Sequence, residues 1–331
     1  MQLHNKYAAA LIPWSSLVDR FLRQGYREAL PTCERIRQAA NLEVLDGVEM
    51  MYPFEVNAEN ISEIRAALSD SGLVLSAMGI PISGESRYAN GTFTARDPQV
   101  RQAAIQRVKE GMDMCAELNG DRVYFFLGQD GCDYSFEVDY EEAWNRLAES
   151  VHAIAAHRRD IKICLEYKPH EPRRHIFYGD VGSALHLMEQ VKEENVGVLF
   201  DTGHALLARE NLGESVYLLQ RAGRLFHVHF NDNYGSFDDD LVVGAVHFLP
   251  FVEAVYWLKR VGYSDWLSLD LFPYREDPGI AVKQSITFLK EVSERIDAYG
   301  LEALTGLIHQ GDGAFSTQEL YRAFFPTGKA R

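Results

Sequence analysis

Side chains that bind divalent metal ions follow four apolar segments in the second half of the chain. Glu166 follows I-C-L, Asp201 follows V-L-F, His229 lies within F-H-V-H-F, and Asp270 ends L-S-L-D. A carboxylate that emerges from an apolar strand is costly to bury unless it is paired or bound to a cation. Three carboxylates and one imidazole are a ligand set that suits Mn²⁺, Mg²⁺ or Co²⁺. The four residues together predict a divalent-metal site, provided that the fold brings the ends of these segments together.

The spacing around these residues adds a lysine and a second histidine. Along a strand, residues two apart point to the same face, so Lys168 shares a face with Glu166, and His227 shares one with His229. His229 is nearer the carboxyl end of its segment and is the better ligand. His227 lies one layer deeper, which predicts a core or supporting role.

An acidic loop follows the segment that contains His229. Its three consecutive aspartates, Asp238, Asp239 and Asp240, could form only a solvated charge run. Next to a metal site they have a second use. If Asp238 and Asp240 turn to one side, they and His204 can hold a second cation near the first, and two cations can bind both oxygens of a substrate. Which two of the three aspartates are ligands stays open at this stage.

Short β-rich apolar runs alternate with longer amphipathic segments along most of the chain. The pattern predicts eight strands, at 7–12, 47–52, 73–80, 122–127, 161–167, 196–200, 225–230 and 266–271. Helices are expected to begin at Asp97-Pro98, Asp139, Asp180 and Asp277-Pro278. Eight β/α units predict an α/β fold with a parallel sheet. No glycine-rich dinucleotide-binding motif follows the first strand, so a (β/α)₈ TIM barrel over residues 1–300 is favoured over a doubly wound sheet. Residues 301–331 are expected to form an extension that packs on the barrel or on a neighbouring subunit.

The (β/α)₈ architecture gives the four candidate ligands a common location. Active sites of such barrels lie at the carboxyl ends of the strands, where all four residues are expected. Two polar loops, 79–96 and 231–247, interrupt the regular alternation, and long loops in a compact domain are usually functional.

Composition excludes several classes of protein. Of 331 residues, 33 are Lys or Arg and 48 are Asp or Glu, so the formal net charge is −15. Nucleic-acid binding needs a basic face, so such a partner is not expected. No apolar run is long enough to cross a membrane, no signal peptide is recognisable, and the four cysteines are widely spaced. We expect a soluble, cytoplasmic protein with reduced thiols.

Five motifs in this order resemble those of the xylose isomerase-like barrel superfamily, and within it those of the L-rhamnose isomerase branch of sugar isomerases. They are L-E-Y-K-P (165–169), F-D-T-G-H (200–204), H-V-H-F-N-D (227–232), D-D-D (238–240) and S-L-D (268–270). The resemblance implies a structural metal with four ligands, Glu166, Asp201, His229 and Asp270. It implies a second, catalytic metal held by His204, Asp238 and Asp240.

The resemblance also implies an activity, the interconversion of an aldose and a ketose by a two-metal-assisted hydride shift, with Mn²⁺ as the expected ion. Lys168, Glu166 and Asp240 would act in catalysis, with Lys168 and His204 beside the monosaccharide. Further mouth residues are candidates for contacts with the sugar: Trp14, Glu49, Tyr52, Gln129, Asp130 and Phe272. A homo-oligomer, dimer or tetramer, is expected.

Three alternatives use the same barrel. A ketose 3-epimerase would use Glu166 and Asp270 as paired acid and base groups around a single metal. A lyase acting on a sugar conjugate could also work with one metal. A sugar-binding module would need neither the acidic loop nor Lys168. The number of metal ions bound per chain separates the isomerase from the single-metal enzymes.

Overall fold

Eight parallel strands close into a barrel in the structure, a computed structural model that describes residues 5–325. Each strand pairs with its neighbours in the sequence, and the first strand pairs with the last. The strands are β1 (Lys6–Ala10), β2 (Gly47–Met51), β3 (Val74–Gly79), β4 (Arg122–Phe126), β5 (Lys162–Glu166), β6 (Val196–Asp201), β7 (Leu225–Phe230) and β8 (Trp266–Leu269). The predicted (β/α)₈ fold is confirmed, with one barrel strand at each predicted position.

Helices surround the barrel and follow the strands along the chain. They are α1 (Thr32–Ala40), α2 (Ile61–Ser71), α3 (Pro98–Glu117), α4 (Tyr140–Ala155), α5 (Val181–Val191), α6 (Thr202–Leu207), α7 (Leu212–Arg221), α8 (Phe248–Arg260), α9 (Pro278–Tyr299), α10 (Leu301–Gln310) and α11 (Gly313–Phe324). None of the helices in residues 5–325 is both long and apolar enough to cross a bilayer.

The aspartates predicted to begin helices do so. Side chains of Asp97, Asp139, Asp180 and Asp277 each accept a hydrogen bond from a main-chain amide in the first turn that follows. Such caps satisfy amides that have no partner within the helix, which is why the helix starts could be read locally.

The structure differs from the predicted elements at three places near the mouth. Strand β1 ends at Ala10, because a 3₁₀ turn that contains Pro13 follows it (Ile12–Trp14). Strand β6 continues to Asp201 and passes directly into the short helix α6, which the sequence pattern did not predict. Two short antiparallel strands, Gly131–Cys132 and His175–Ile176, join the loops after β4 and β5.

The two last helices pack against α8 and α9. The Tyr256 hydroxyl lies 2.8 Å from the Thr305 hydroxyl, and the rings of Phe248 and Phe324 are 5.7 Å apart. Inside the barrel, Tyr124, Cys164 and Leu199 form an apolar layer below the carboxyl-terminal mouth. The barrel interior is therefore filled by packed side chains below the mouth.

Candidate metal centre

The four predicted ligands of the first metal meet at the mouth of the barrel. His229 Nδ1 lies 3.7 Å from Glu166 Oε1, 3.9 Å from Asp201 Oδ2 and 4.0 Å from Asp270 Oδ2. One ligand atom from each residue lies within 4.8 Å of the other three. Atoms that each bind one ion at about 2.1 Å lie roughly 3 to 4 Å from one another. The spacing therefore fits a single divalent cation.

Unpartnered polar atoms support this fit. Glu166 Oε1, His229 Nδ1 and Asp270 Oδ1 are buried and have no hydrogen-bond partner within the described chain. Buried polar atoms are nearly always satisfied, and a group without a partner calls for an explanation such as an ion. An oxygen and nitrogen donor set of this kind suits Mn²⁺, Mg²⁺ or Co²⁺.

The D-T-G-H motif forms its part of the site through a strand-to-helix junction. Asp201 ends β6 and caps α6, so one of its oxygens accepts from the His204 amide at 2.9 Å. The other accepts from Asn231 Nδ2 at 2.8 Å. A Cβ at Gly203 would lie 1.9 Å from Asn231 Oδ1, so only glycine allows the approach of β7 to this junction. The motif thus orients Asp201 by contacts on both sides.

Glu49 was predicted to contact a sugar, but it does not line the cavity. Its side chain is completely buried, and its two oxygens lie 2.8 Å from His227 Nε2 and 3.0 Å from His229 Nε2. Burial alone would raise the pKa of Glu49, but His229 and His227 lower it well below its usual value. Because Nε2 of His229 faces Glu49, its Nδ1 is left to face the metal position. Glu49 thus supports the two histidines and is too deep to bind a sugar.

A second polar cluster adjoins the first. Asp238 Oδ2 lies 3.0 Å from His204 Nε2 and 2.7 Å from Lys168 Nζ, and Lys168 Nζ lies 3.1 Å from Glu171. His204 Nδ1 turns toward the first cluster, 3.4 Å from Glu166 Oε1. The structure therefore brings His204, Asp238 and Lys168 together beside the first ligand set.

The three consecutive aspartates point in different directions. Asp238 and Asp240 line the cavity, whereas Asp239 accepts a hydrogen bond from the exposed Tyr234 amide. Asp240 has a φ of +48°, in the left-handed region that non-glycine residues rarely occupy. Asp232 orders the base of the loop, because its carboxylate accepts from three main-chain amides and from the ring of His247. The alternation of Asp238 and Asp240 toward the mouth agrees with the expected arrangement of this loop.

A cavity of about 310 Å³ lies above these clusters. Its charged side includes Glu166, Lys168, His204, Asp238, Asp240 and Asp270. The apolar part of its lining includes Ile12, Met51, Ile80, Ile82 and Phe272. Its size is at the lower end of ligand cavities, which span about 300 to 1,000 Å³.

Several predicted sugar contacts lie elsewhere. Trp14 is 4% exposed and packs in the hydrophobic core, and Gln129 and Tyr52 are not among the residues that line the cavity. Asp130 is buried and accepts hydrogen bonds from the amides and hydroxyls of Thr92 and Thr94, so it holds a loop in place. Of these aromatic and polar candidates, Phe272 lines the cavity.

The pKa values at the mouth indicate which charges a bound cation would offset. Burial, together with nearby carboxylates, raises the pKa of Asp270 to about 7 and raises that of Asp240 well above its usual value. Burial lowers the pKa of His204, but Asp201 and Asp238 raise it more, to about 9. Without metal, protons on these groups offset the crowding of carboxylates, and a bound cation would take their place.

Two residues at the site were not predicted from the sequence. Tyr124 is buried with its ring edge-to-face on His229 at 4.9 Å, and it lines the cavity. Glu171 pairs with Lys168 from the loop after β5. The only available hint for Glu171 is its spacing of three residues from Lys168, which is common among charged residues.

A closed parallel barrel with polar residues gathered at the carboxyl ends of its strands has the layout of an enzyme of the (β/α)₈ class. Residues 11–292 match the family described as xylose isomerase-like TIM barrel. The chain belongs to this family.

The similar proteins include an isomerase, found by sequence, and two epimerases, found by structure. A xylose isomerase from Thermus thermophilus is 28% identical over 230 residues, which cover 68% of this chain and 59% of that protein. The chain thus matches little more than half the length of that relative. An L-ribulose 3-epimerase structure covers 92% of this chain and 97% of its own, with a TM-score of 0.70 at 17% identity. A D-psicose 3-epimerase from Clostridium cellulolyticum H10 covers 87% and 99%, with a TM-score of 0.68 at 19% identity. At these identities the two structures show a shared fold.

Proposed function

We propose that this chain is a divalent-metal-dependent sugar isomerase that interconverts an aldose and a ketose. One metal would be held by Glu166, Asp201, His229 and Asp270, and a second by His204, Asp238 and Asp240. Bound divalent ions would polarise the substrate oxygens as Lewis acids. Mn²⁺ is the first candidate, with Mg²⁺ and Co²⁺ as alternatives.

The observation that carries this proposal is the excess of carboxylates at one mouth. Six carboxyl groups, counting Glu171 beside Lys168, surround one ammonium group, that of Lys168, so five formal negative charges remain when all are ionised. One divalent cation would offset two of these charges, and a second cation would offset two more. A single ion would leave Asp238 and Asp240 with only partial compensation in a buried site.

Residues of the chain would then divide the work as follows. Lys168 would donate a hydrogen bond to the carbonyl oxygen and stabilise the negative charge that develops there. The carboxylate of Asp240 would accept the proton of the neighbouring hydroxyl and return it to the other oxygen. Hydrogen would move with its electron pair directly between C2 and C1. Glu166 would hold the first metal together with Asp201, His229 and Asp270, and Glu49 would keep His229 in the required orientation.

The cavity also favours a small, unphosphorylated sugar. Among its lining residues in the described chain, Lys168 carries the only ammonium or guanidinium group, and Asp238 and Glu171 already engage it. A phosphate group would therefore face carboxylates. We propose monosaccharides of roughly four to six carbons as substrates, which suits a cavity of this size.

A single-metal ketose 3-epimerase is the second candidate, and one observation favours it. Only the Glu166–Asp201–His229–Asp270 cluster and the internally paired Glu49–His227–His229 group bring metal-binding atoms of three or more residues within 4.8 Å of one another in residues 5–325. Asp238 is engaged by Lys168 and His204. In that case Glu166 and Asp270 would be the acid and base, and a sugar-conjugate lyase could use the same arrangement.

Metal content and hydrogen transfer together test the proposal. Wild-type protein reloaded with Mn²⁺ should bind about two ions per chain, and Asp240→Ala about one, with kcat lowered by about 10³-fold or more. Asp239→Ala is the matched control, because its carboxylate faces the exposed loop, and it should keep both ions and its activity. A sugar deuterated at C2 should deliver the label to C1. One ion in the wild type, together with a solvent-derived deuteron at C3, would instead identify the epimerase.

A further inference from the structure

Arg27 lies in the long connection between β1 and α1, and its guanidinium donates hydrogen bonds to main-chain carbonyl oxygens. Nη1 donates to the Pro13 oxygen at 2.8 Å. Nη2 donates to the oxygens of Tyr274 at 3.2 Å and Glu276 at 3.0 Å, and also to that of Pro273. Within residues 5–325, no carboxylate forms an ion pair with it. A half-buried guanidinium used this way joins two segments of backbone.

The residue before Arg27 strengthens the same junction. The ring of Tyr26 meets that of Tyr274 edge-on at 5.0 Å, and its hydroxyl donates to Asp19 at 2.7 Å. The guanidinium of Arg275 lies 5.1 Å from the Tyr26 ring. The β1–α1 connection is therefore attached to the loop after β8 by two successive residues.

That loop leads directly into the candidate site. Phe272 and Tyr274 line the cavity, and the Phe272 amide donates to the main-chain oxygen of Asp240 at 3.1 Å. Asp240 is the residue held in a left-handed conformation. A continuous series of contacts thus runs from Arg27 through the β8 loop to the acidic loop.

We propose that Arg27 is a positioning residue of the active site. It fixes the wall formed by Phe272 and Tyr274, and through the Phe272 amide it holds the backbone of Asp240 where the carboxylate reaches the cavity. It does so without lining the cavity itself. This inference rests on the proposed function in one respect, the kcat/KM measurements described below.

Three variants test this role: Arg27→Ala, Arg27→Lys and the control Arg37→Ala, which removes an exposed arginine of α1 paired with Glu34. Arg27→Ala should lower kcat/KM on the order of 100-fold, because small misplacements of catalytic groups have effects of that size. Arg27→Lys should recover part of the lost kcat/KM, because an ammonium group keeps three hydrogen-bond donors. The recovery should be incomplete, because lysine lacks the planar guanidinium. Guanidinium chloride at tens of millimolar should restore Arg27→Ala partly, whereas sodium chloride should not.

Two readouts do not depend on activity. The affinity of the four-ligand site for Mn²⁺ should change less than about twofold in Arg27→Ala, because Arg27 touches none of its ligands. Trypsin should cleave the loop after Arg20 or Arg23 about tenfold faster, because the attachment of that loop is lost. Arg37→Ala should match the wild type in every readout.

Wild-type kcat/KM in Arg27→Ala, or loss of Mn²⁺ affinity together with general unfolding, would overturn the positioning role. Failure of the proposed function looks different, because the wild type itself would then lack aldose–ketose isomerisation. In that case, faster trypsin cleavage of Arg27→Ala at unchanged Mn²⁺ affinity would still support the role of Arg27 in attaching the β1–α1 connection to the loop after β8. Unchanged trypsin cleavage would overturn that role.

Discussion

At the scale of single residues, two buried glutamates in the barrel have different tasks. Glu166 keeps a buried oxygen without a hydrogen-bond partner, whereas both oxygens of Glu49 are used by histidines. A carboxylate behind a metal-binding histidine sets which ring nitrogen faces the metal and makes the imidazole a better ligand. Glu49 does this for His229 and also holds His227 in the layer below.

Replacing Glu49 by glutamine tests this supporting role. Glu49→Gln keeps the shape but removes the charge that holds two imidazoles, so affinity for Mn²⁺ should fall about 10- to 100-fold. Glu193→Gln is the matched control, because Glu193 is also a buried glutamate, 8% exposed, and pairs with Arg159 and His152 away from the mouth. Calorimetric titration with Mn²⁺ measures both. Equal affinities in Glu49→Gln and the wild type would remove Glu49 from the metal centre.

At the scale of elements, the junction between β6 and α6 depends on one glycine. Asp201 and His204 lie on either side of Gly203, and Asn231, the residue directly after β7, approaches so closely that its side chain occupies the place of a Cβ at Gly203. Asn231 also holds Asp201 by a hydrogen bond. Any shift of Asn231 is therefore transmitted to Asp201, a proposed metal ligand.

Gly203→Ala should destabilise the protein by about 1–3 kcal/mol, the usual cost of overpacking, and should weaken Mn²⁺ binding. Gly306→Ala is the control in helix α10, where an added Cβ meets nothing within 4 Å. It should be neutral or stabilising by up to about 1 kcal/mol, since alanine favours helix. Urea unfolding with and without Mn²⁺ gives both quantities. Wild-type stability and affinity in Gly203→Ala would show that the junction tolerates a side chain.

At the scale of the whole molecule, the mouth concentrates part of the net charge of −15 in a small volume. Burial raises the pKa of Asp270 and of Asp201, which means that their ionised forms are unfavourable in the folded protein without a cation. Metal binding is therefore coupled to the stability of the barrel. Removing a carboxylate should help the metal-free protein and harm the metal-bound one.

Asp270→Asn tests this coupling. In the wild type, Mn²⁺ at 100 times its Kd should add about 2.7 kcal/mol and raise Tm by about 4 °C. In Asp270→Asn the metal-free Tm should equal or exceed that of the wild type, and most of the Mn²⁺ increment should be lost. Asp277→Asn, an exchange between two good helix caps, should keep the full increment. Scanning calorimetry in chelator and in Mn²⁺ decides, and an increment retained in Asp270→Asn would exclude it as a ligand.

The sequence alone predicted the barrel, the order of its strands and the helix starts capped by aspartate. It also predicted that Glu166, Asp201, His229 and Asp270 would lie at one mouth. These features depend on local patterns: the period of apolar residues, the residue at each helix start and the position at which each strand ends. Because parallel strands of a barrel end at the same face, strand ends that are far apart in the chain could be placed together without knowledge of any contact.

Only the tertiary structure decided which partner each polar side chain meets. Glu49 reaches His227 and His229, 178 and 180 residues away, across the barrel interior. Asp239 turns outward, Trp14 packs in the core, and Arg27 joins two loops that begin at opposite ends of the chain. These contacts follow from barrel closure, from register shifts in the pairings of β2 with β3 and β6 with β7, and from loop conformation. None of these has a periodic signal, because each is set by the summed packing of segments distant in the sequence.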